Sequence, residues 1–81
     1  MDANNAKAQI VLRRPEVEVR TGLARSTIYD RMNPSSKRYD KHFPKPVRLG
    51  SSNNAKAVGW LESEISQWVD LCISQGRQQA Q

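Results

Sequence analysis

The sequence predicts a small α+β domain, mainly helical, in which three helices carry one β-hairpin. Three observations lead there. Leu61, Ile65, Trp68, Val69 and Cys72 recur at helical spacing toward the C-terminal end. Gly22 separates two short segments, each with helix signals of its own. Two apolar–polar alternations, Val47-Arg48-Leu49 and Val58-Gly59-Trp60, flank the turn-forming run Gly50-Ser51-Ser52-Asn53-Asn54, which is the pattern of a hairpin. The 81 residues leave room for one domain, placed at residues 10–74 between polar tails at 1–9 and 75–81 that are expected to be disordered.

Taken in order, Ile10-Val11-Leu12 is a short apolar run that reads as a strand or an extended entry segment. Pro15 suits the first turn of a helix, where its missing N–H is no loss. Glu16 and Glu18 fall in that turn, where the positive end of the helix dipole favours them. A helix over 15–21, ended by Gly22, follows, although Val17-Glu18-Val19 alternates as a strand would. The next helix spans 25–32, with Ile28 and Met32 one turn apart and buried together with Leu23. Ala24 stands at its cap position and is a poor cap. Pro34 drives Asn33 out of helical geometry and stops the helix. A polar, basic connector then runs to Phe43-Pro44-Lys45-Pro46, and the hairpin follows. The last helix starts at about Leu61, carries Glu62 and Glu64 in its first turn, and buries Cys72 on its apolar face.

Charge narrows the partner. Between Arg20 and Leu61 there are nine bases and two acids, a net +7, whereas the flanks together carry −2. A charge concentrated in this way suits a polyanion, although blocks of charge also occur as plain solvated surface. A domain this small buries only about 60% of the surface of its unfolded chain, so a grooved macromolecule is a better expectation than a substrate in a deep cavity. A single cysteine excludes an internal disulfide and a multi-cysteine zinc site. His42 is the one histidine, and no nucleophile, base and orienting group assemble around it, so no enzyme activity and no cofactor are expected. No apolar run approaches the length of a membrane span, and residues 1–9 lack a signal-peptide core; the expectation is a soluble, cytoplasmic protein.

Two helices joined by a tight glycine turn form a helix-turn-helix, whose second helix presents its N-terminal end to the DNA major groove. With Ile28 and Met32 facing inward, Ser26, Tyr29, Asp30 and Asn33 share the outer face, flanked by Arg25 and Thr27. Arg25 can fork to guanine or to a phosphate. Ser26 and Thr27 can bond a phosphate or a base edge, or serve as local caps. Tyr29 can reach a phosphate through its hydroxyl, or pack partly into the core with the hydroxyl in water. Arg31 suits the DNA backbone. A hairpin after such a pair makes a winged module; Arg48, Asn53, Asn54 and Lys56 lie on or beside the wing tip, which can enter the minor groove, follow phosphates, or remain an ordinary solvated loop.

Three segments, Thr21-Gly22-Leu23-Ala24-Arg25-Ser26-Thr27-Ile28-Tyr29-Asp30, Phe43-Pro44-Lys45-Pro46-Val47-Arg48-Leu49-Gly50, and Ala57-Val58-Gly59-Trp60-Leu61-Glu62-Ser63-Glu64-Ile65 with Trp68-Val69, resemble the AlpA family in the same order, over residues 11–72. The resemblance implies a winged helix-turn-helix of the kind seen in MerR-like and excisionase proteins. It implies double-stranded DNA as partner and control of a mobile genetic element or prophage: transcription regulation, often of an integrase gene, or action as a recombination directionality factor (excisionase) in DNA recombination. An integrase is then a further partner, and self-association along DNA is expected because one small domain covers only a short site. An adaptor that recruits or modulates an integrase without reading DNA is the other reading. Two features depart from shorter members: the connector over 33–42 is long and basic and can add backbone contacts, and Glu18 stands where an apolar residue is expected.

Overall fold

The computed structural model describes residues 9–50 and 57–79. The chain runs β1 (Val11–Leu12), α1 (Arg14–Thr21), α2 (Arg25–Met32), β2 (Val47–Arg48), β3 (Val58–Leu61) and α3 (Glu62–Gln79). The strands form one antiparallel sheet in the order β1-β3-β2. Val11 pairs with Leu61 and Leu12 with Trp60 on one side of β3; Val47 pairs with Gly59 and Arg48 with Val58 on the other. The expected α+β architecture of three helices and a hairpin is therefore the one formed, and the entry segment adds a third strand.

Each boundary has a local cause. Arg13 is extended and its N–H donates to Glu16 Oε1 at 3.3 Å, and Pro15 follows in the first turn of α1. Gly22 closes α1 in the left-handed region at φ 75°, with its N–H donated to the Glu18 carbonyl at 2.8 Å. Thr21 Oγ1 donates to the Val17 carbonyl and accepts the Leu23 N–H, which ties the turn to the helix it ends. Val17 is fully buried while Val19 is 82% exposed. Residues two apart on a helix stand roughly 200° apart around its axis, so a short helix can imitate the in–out pattern of a strand. Glu18 is accommodated at the surface, where its carboxylate takes the Arg14 Nε–H at 3.0 Å.

The core is built by Leu12, Val17, Ile28, Phe43, Trp60, Ile65 and Trp68, with Leu23, Met32, Val58, Val69 and Cys72 half-buried around it. Every element but β2 contributes at least one of these, and the connector contributes Phe43, whose ring meets Trp68 edge-on with centroids 4.9 Å apart. Burial pushes the Cys72 thiol above its ordinary value, as its place on the packed face of α3 requires. Gly59 is needed in β3: a Cβ there would run into Val11 Cγ1 and sit 3.1 Å from the Leu12 carbonyl oxygen.

Two boundaries differ from the sequence-based expectation. Leu61 belongs to β3, paired with Val11, and not to the helix; the Glu62 N–H donates back to the Ile10 carbonyl at 2.8 Å, so the strand is bonded up to its last residue. The last helix also continues past residue 74 to Gln79, with residues 73–78 exposed, so a segment expected to be a disordered tail is helical as far as 79.

Candidate nucleic-acid interface

The turn from Gly22 to Ala24 sets the start of α2. Ala24 is extended, at φ −73° and ψ 162°, and no side chain caps the helix; the first internal bond is Ile28 N–H to the Ala24 carbonyl at 3.0 Å. The N–H groups of Arg25, Ser26 and Thr27 are thus left at the helix start without an intrahelical acceptor. Ile28 is fully buried and fixes the helix against the core, which turns Arg25, Ser26 and Tyr29 outward. Thr27 is half-buried beside them. The Arg25 guanidinium lies over the Tyr29 ring, 6.0 Å from its centroid, and Tyr29 itself is 43% exposed. Of the residues expected on the outer face, Asp30 is half-buried and paired with Arg38 at 3.6 Å, and Asn33 is exposed at the C-cap.

Arg31 faces a different way. It is half-buried, its Nε is enclosed without a hydrogen-bond partner among the described residues, and its carbonyl accepts the Asp40 N–H at 2.9 Å. Arg48 is exposed on β2, opposite Val58. Asn53, Asn54 and Lys56 lie outside the described residues. Arg25, Ser26, Thr27 and Tyr29 are therefore one cluster on α2, with Arg48 on the neighbouring hairpin.

The long connector is organised around Asp40. Its carboxylate accepts the Trp68 indole N–H at 3.0 Å and the His42 backbone N–H at 2.8 Å, while its carbonyl takes the Phe43 N–H at 3.0 Å. Burial pushes the Asp40 carboxyl up, but those two N–H donors and the charges of His42 and Arg31 outweigh it and hold the group below its ordinary value. The connector is in this way tied to α2 through Arg31 and to α3 through Trp68, and it holds the exposed bases Lys37, Arg38 and Lys41 close to the end of α2. His42 is an exposed loop residue whose bond is made by its backbone.

A cleft of about 250 Å³ opens beside Tyr29, lined by Arg13, Arg14, Pro15 and Val58 as well. Arg13 and Arg14 stand outside the stretch of concentrated charge read from the sequence. The Arg13-Arg14-Pro15 run at a helix start was the signal available, and it needs the fold to bring it to α2. Among the described residues no group of three or more His, Cys, Asp or Glu side chains is placed to hold a metal ion, and no helix is long and apolar enough to cross a membrane.

A helix pair joined through a left-handed glycine, a hairpin paired beside it and a third helix closing the core define a small winged helix-turn-helix-like domain. The model of the family described as prophage CP4-57 regulatory protein (AlpA) matches residues 10–73, and the chain belongs to that family. It is 52% identical over 66 residues, 82% of this chain and 89% of the relative, to a protein of Escherichia coli (strain K12) named DNA-binding transcriptional activator AlpA. It is also 41% identical over 58 residues, 72% of this chain and 54% of the relative, to the uncharacterized protein ORF88 of Enterobacteria phage P4. No solved structure matches the chain.

Proposed function

We propose that this protein is a sequence-specific DNA-binding regulator of a mobile genetic element, using Arg25, Ser26, Thr27 and Tyr29 in the major groove and the hairpin with Arg48, Asn53, Asn54 and Lys56 along an adjacent groove or backbone. The observation that carries the reading is the uncapped start of α2, held outward by the buried Ile28 with a guanidinium, the Ser26 hydroxyl and a phenol exposed together and the Thr27 hydroxyl half-buried beside them. Those are the donors that base edges and phosphates accept from. The relative named as a DNA-binding transcriptional activator supports it. Arg31, half-buried and set apart from that cluster, is assigned a contact with the DNA backbone. The finer role is control of integrase-gene transcription, excision of the element as a recombination directionality factor, or both, with an integrase and further copies of the chain as partners on DNA in the cytoplasm.

Footprinting on DNA around the gene, with and without the element's integrase, combined with a bending assay, tests this. Protection of a promoter supports the transcriptional role, and protection of an attachment arm with bending supports excision. Absence of any protection, with integrase still bound by the protein, leaves an adaptor and overturns DNA reading.

A further inference from the structure

The cleft beside Tyr29 is built from three elements that meet only in the folded chain: the β1–α1 junction supplies Arg13, Arg14 and Pro15, α2 supplies Tyr29, and β3 supplies Val58. Its charged side chains are both cationic, and the Tyr29 hydroxyl beside them can donate as well as accept. Arg14 is fixed through Nε by the Glu18 carboxylate at 3.0 Å, which occupies one of the five N–H donors of the guanidinium. Its charged form is favoured first by that carboxylate and, more weakly, by the nearby Tyr29 hydroxyl. Arg25 lies against the same Tyr29 ring at 6.0 Å, so Tyr29 stands between that guanidinium and a cleft lined by two further arginines. Glu16 and Glu18 are the neighbouring acids; one is bonded to the Arg13 backbone N–H, the other to Arg14, and neither lines the cleft. Tyr29 places the cleft on the same helix as the exposed Arg25 and Ser26, and Val58 places it beside the hairpin base.

We propose that this cleft is a phosphodiester-binding site, in which Arg13 and Arg14 clamp one backbone phosphate and the Tyr29 hydroxyl donates a third bond, fixing the register of α2 in the groove. The site rests on the DNA-binding reading above and adds to it two arginines that lie outside both the recognition helix and the wing. Arginine forks match phosphate oxygens in pairs, and such contacts position a protein without reading sequence.

The test uses the full chain and a short mixed-sequence DNA duplex, with affinity measured by fluorescence anisotropy over a range of salt concentration. Arg13→Gln, which leaves the Arg14–Glu18 pair in place, should weaken binding about tenfold and flatten the log–log salt slope by about 0.9, the value of one phosphate contact. Arg14→Lys should keep the charge and the slope but lose the fork, weakening binding a few-fold. Arg77→Gln, in the last turn of α3 and outside the cleft, should leave the slope unchanged. An unchanged helical circular dichroism signal establishes that each variant is folded. If the wild-type chain binds with a steep salt dependence and Arg13→Gln matches it in affinity and slope, the cleft is no phosphate site and the DNA-binding reading survives. If the wild-type chain does not bind duplex DNA, both fall together.

Discussion

Tyr29 carries more of the surface chemistry than its neighbours because its two ends meet different groups: the ring face receives Arg25, and the hydroxyl side opens on the cleft with Arg13 and Arg14. Arg25→Ala should weaken DNA binding by about 1–3 kcal/mol and relax preference at one base pair if the side chain reads a base. Competition binding against a panel of single-base variants checks this; equal weakening on every sequence would make Arg25 a phosphate contact instead. Two glycines set the tolerance of the scaffold. Gly22 has open space around its missing Cβ, so Gly22→Ala carries only the left-handed backbone penalty, about 1–2 kcal/mol. Gly59 has none, and Gly59→Ala should destabilise by roughly 1–3 kcal/mol of overpacking, measurable as a lower urea midpoint with unchanged m-value. At this scale the sequence was uneven as a guide. Gly22 as a helix stop was legible, since few residues tolerate a positive φ. The demand at Gly59 was not, because it comes from Val11, 48 positions away in the chain, and from the Leu12 backbone.

Among the elements, α2 is anchored by one fully buried residue, Ile28, and begins without a cap, so it depends on packing and on whatever accepts its first N–H groups. Ala24 already has extended, cap-like backbone angles. Ala24→Ser should therefore raise stability by about 1 kcal/mol, seen as an increase of roughly 4–8 °C in Tm for a domain of this size. On the proposed reading the same change should weaken DNA binding, because the serine oxygen takes an N–H group that would face phosphate. Thermal melts and anisotropy on one variant give opposite signs; a gain in both would remove the helix start from the interface. The connector depends on Asp40 in a way that pH can probe. Its folded-state carboxyl lies below the ordinary value, so its contribution is fully present above the unfolded value of about 4 and is lost as pH falls through the lower folded value. Asp40→Asn should abolish that acid-dependent part of the stability curve, read from denaturant midpoints between neutral pH and acid. The short helices were legible from Pro15, Gly22 and Pro34, all local backbone devices. The end of α3 and the place of Leu61 were not. An amphipathic run does not say where its strand stops, and the bonds that hold Leu61 in β3 come from Ile10 and Val11 at the other end of the domain.

For the whole molecule, the net charge of +5 hides the contrast between a +7 middle and negative flanks, and the middle contains the start of α2, the connector and the hairpin base. If about four to six phosphates are contacted, the log–log salt slope of duplex binding should be near −4 to −5. A flat response would separate this protein from electrostatic DNA binding altogether. The winged architecture was readable from the sequence because its pieces are local: a helix pair around one glycine, two alternating runs around a turn, and a long amphipathic helix. How the pieces assemble was not readable, because the sheet order β1-β3-β2 and the core contact between Leu12 and Trp60 join distant segments.

That sheet order also dictates when the domain can exist during synthesis. The helix pair is enclosed in sequence between β1 and the strand that pairs with it, and Val17 and Ile28 share one core with Trp60, Ile65 and Trp68. A nascent chain that has emerged only through residue 50 carries both helices but lacks Trp60, Ile65 and Trp68 from the core they pack into, and eight-residue helices do not hold in water by themselves. Helix α2 therefore takes shape only after β3 and much of α3 have left the ribosome, and a chain interrupted before Trp60 lacks the scaffold that turns Arg25, Ser26 and Tyr29 outward.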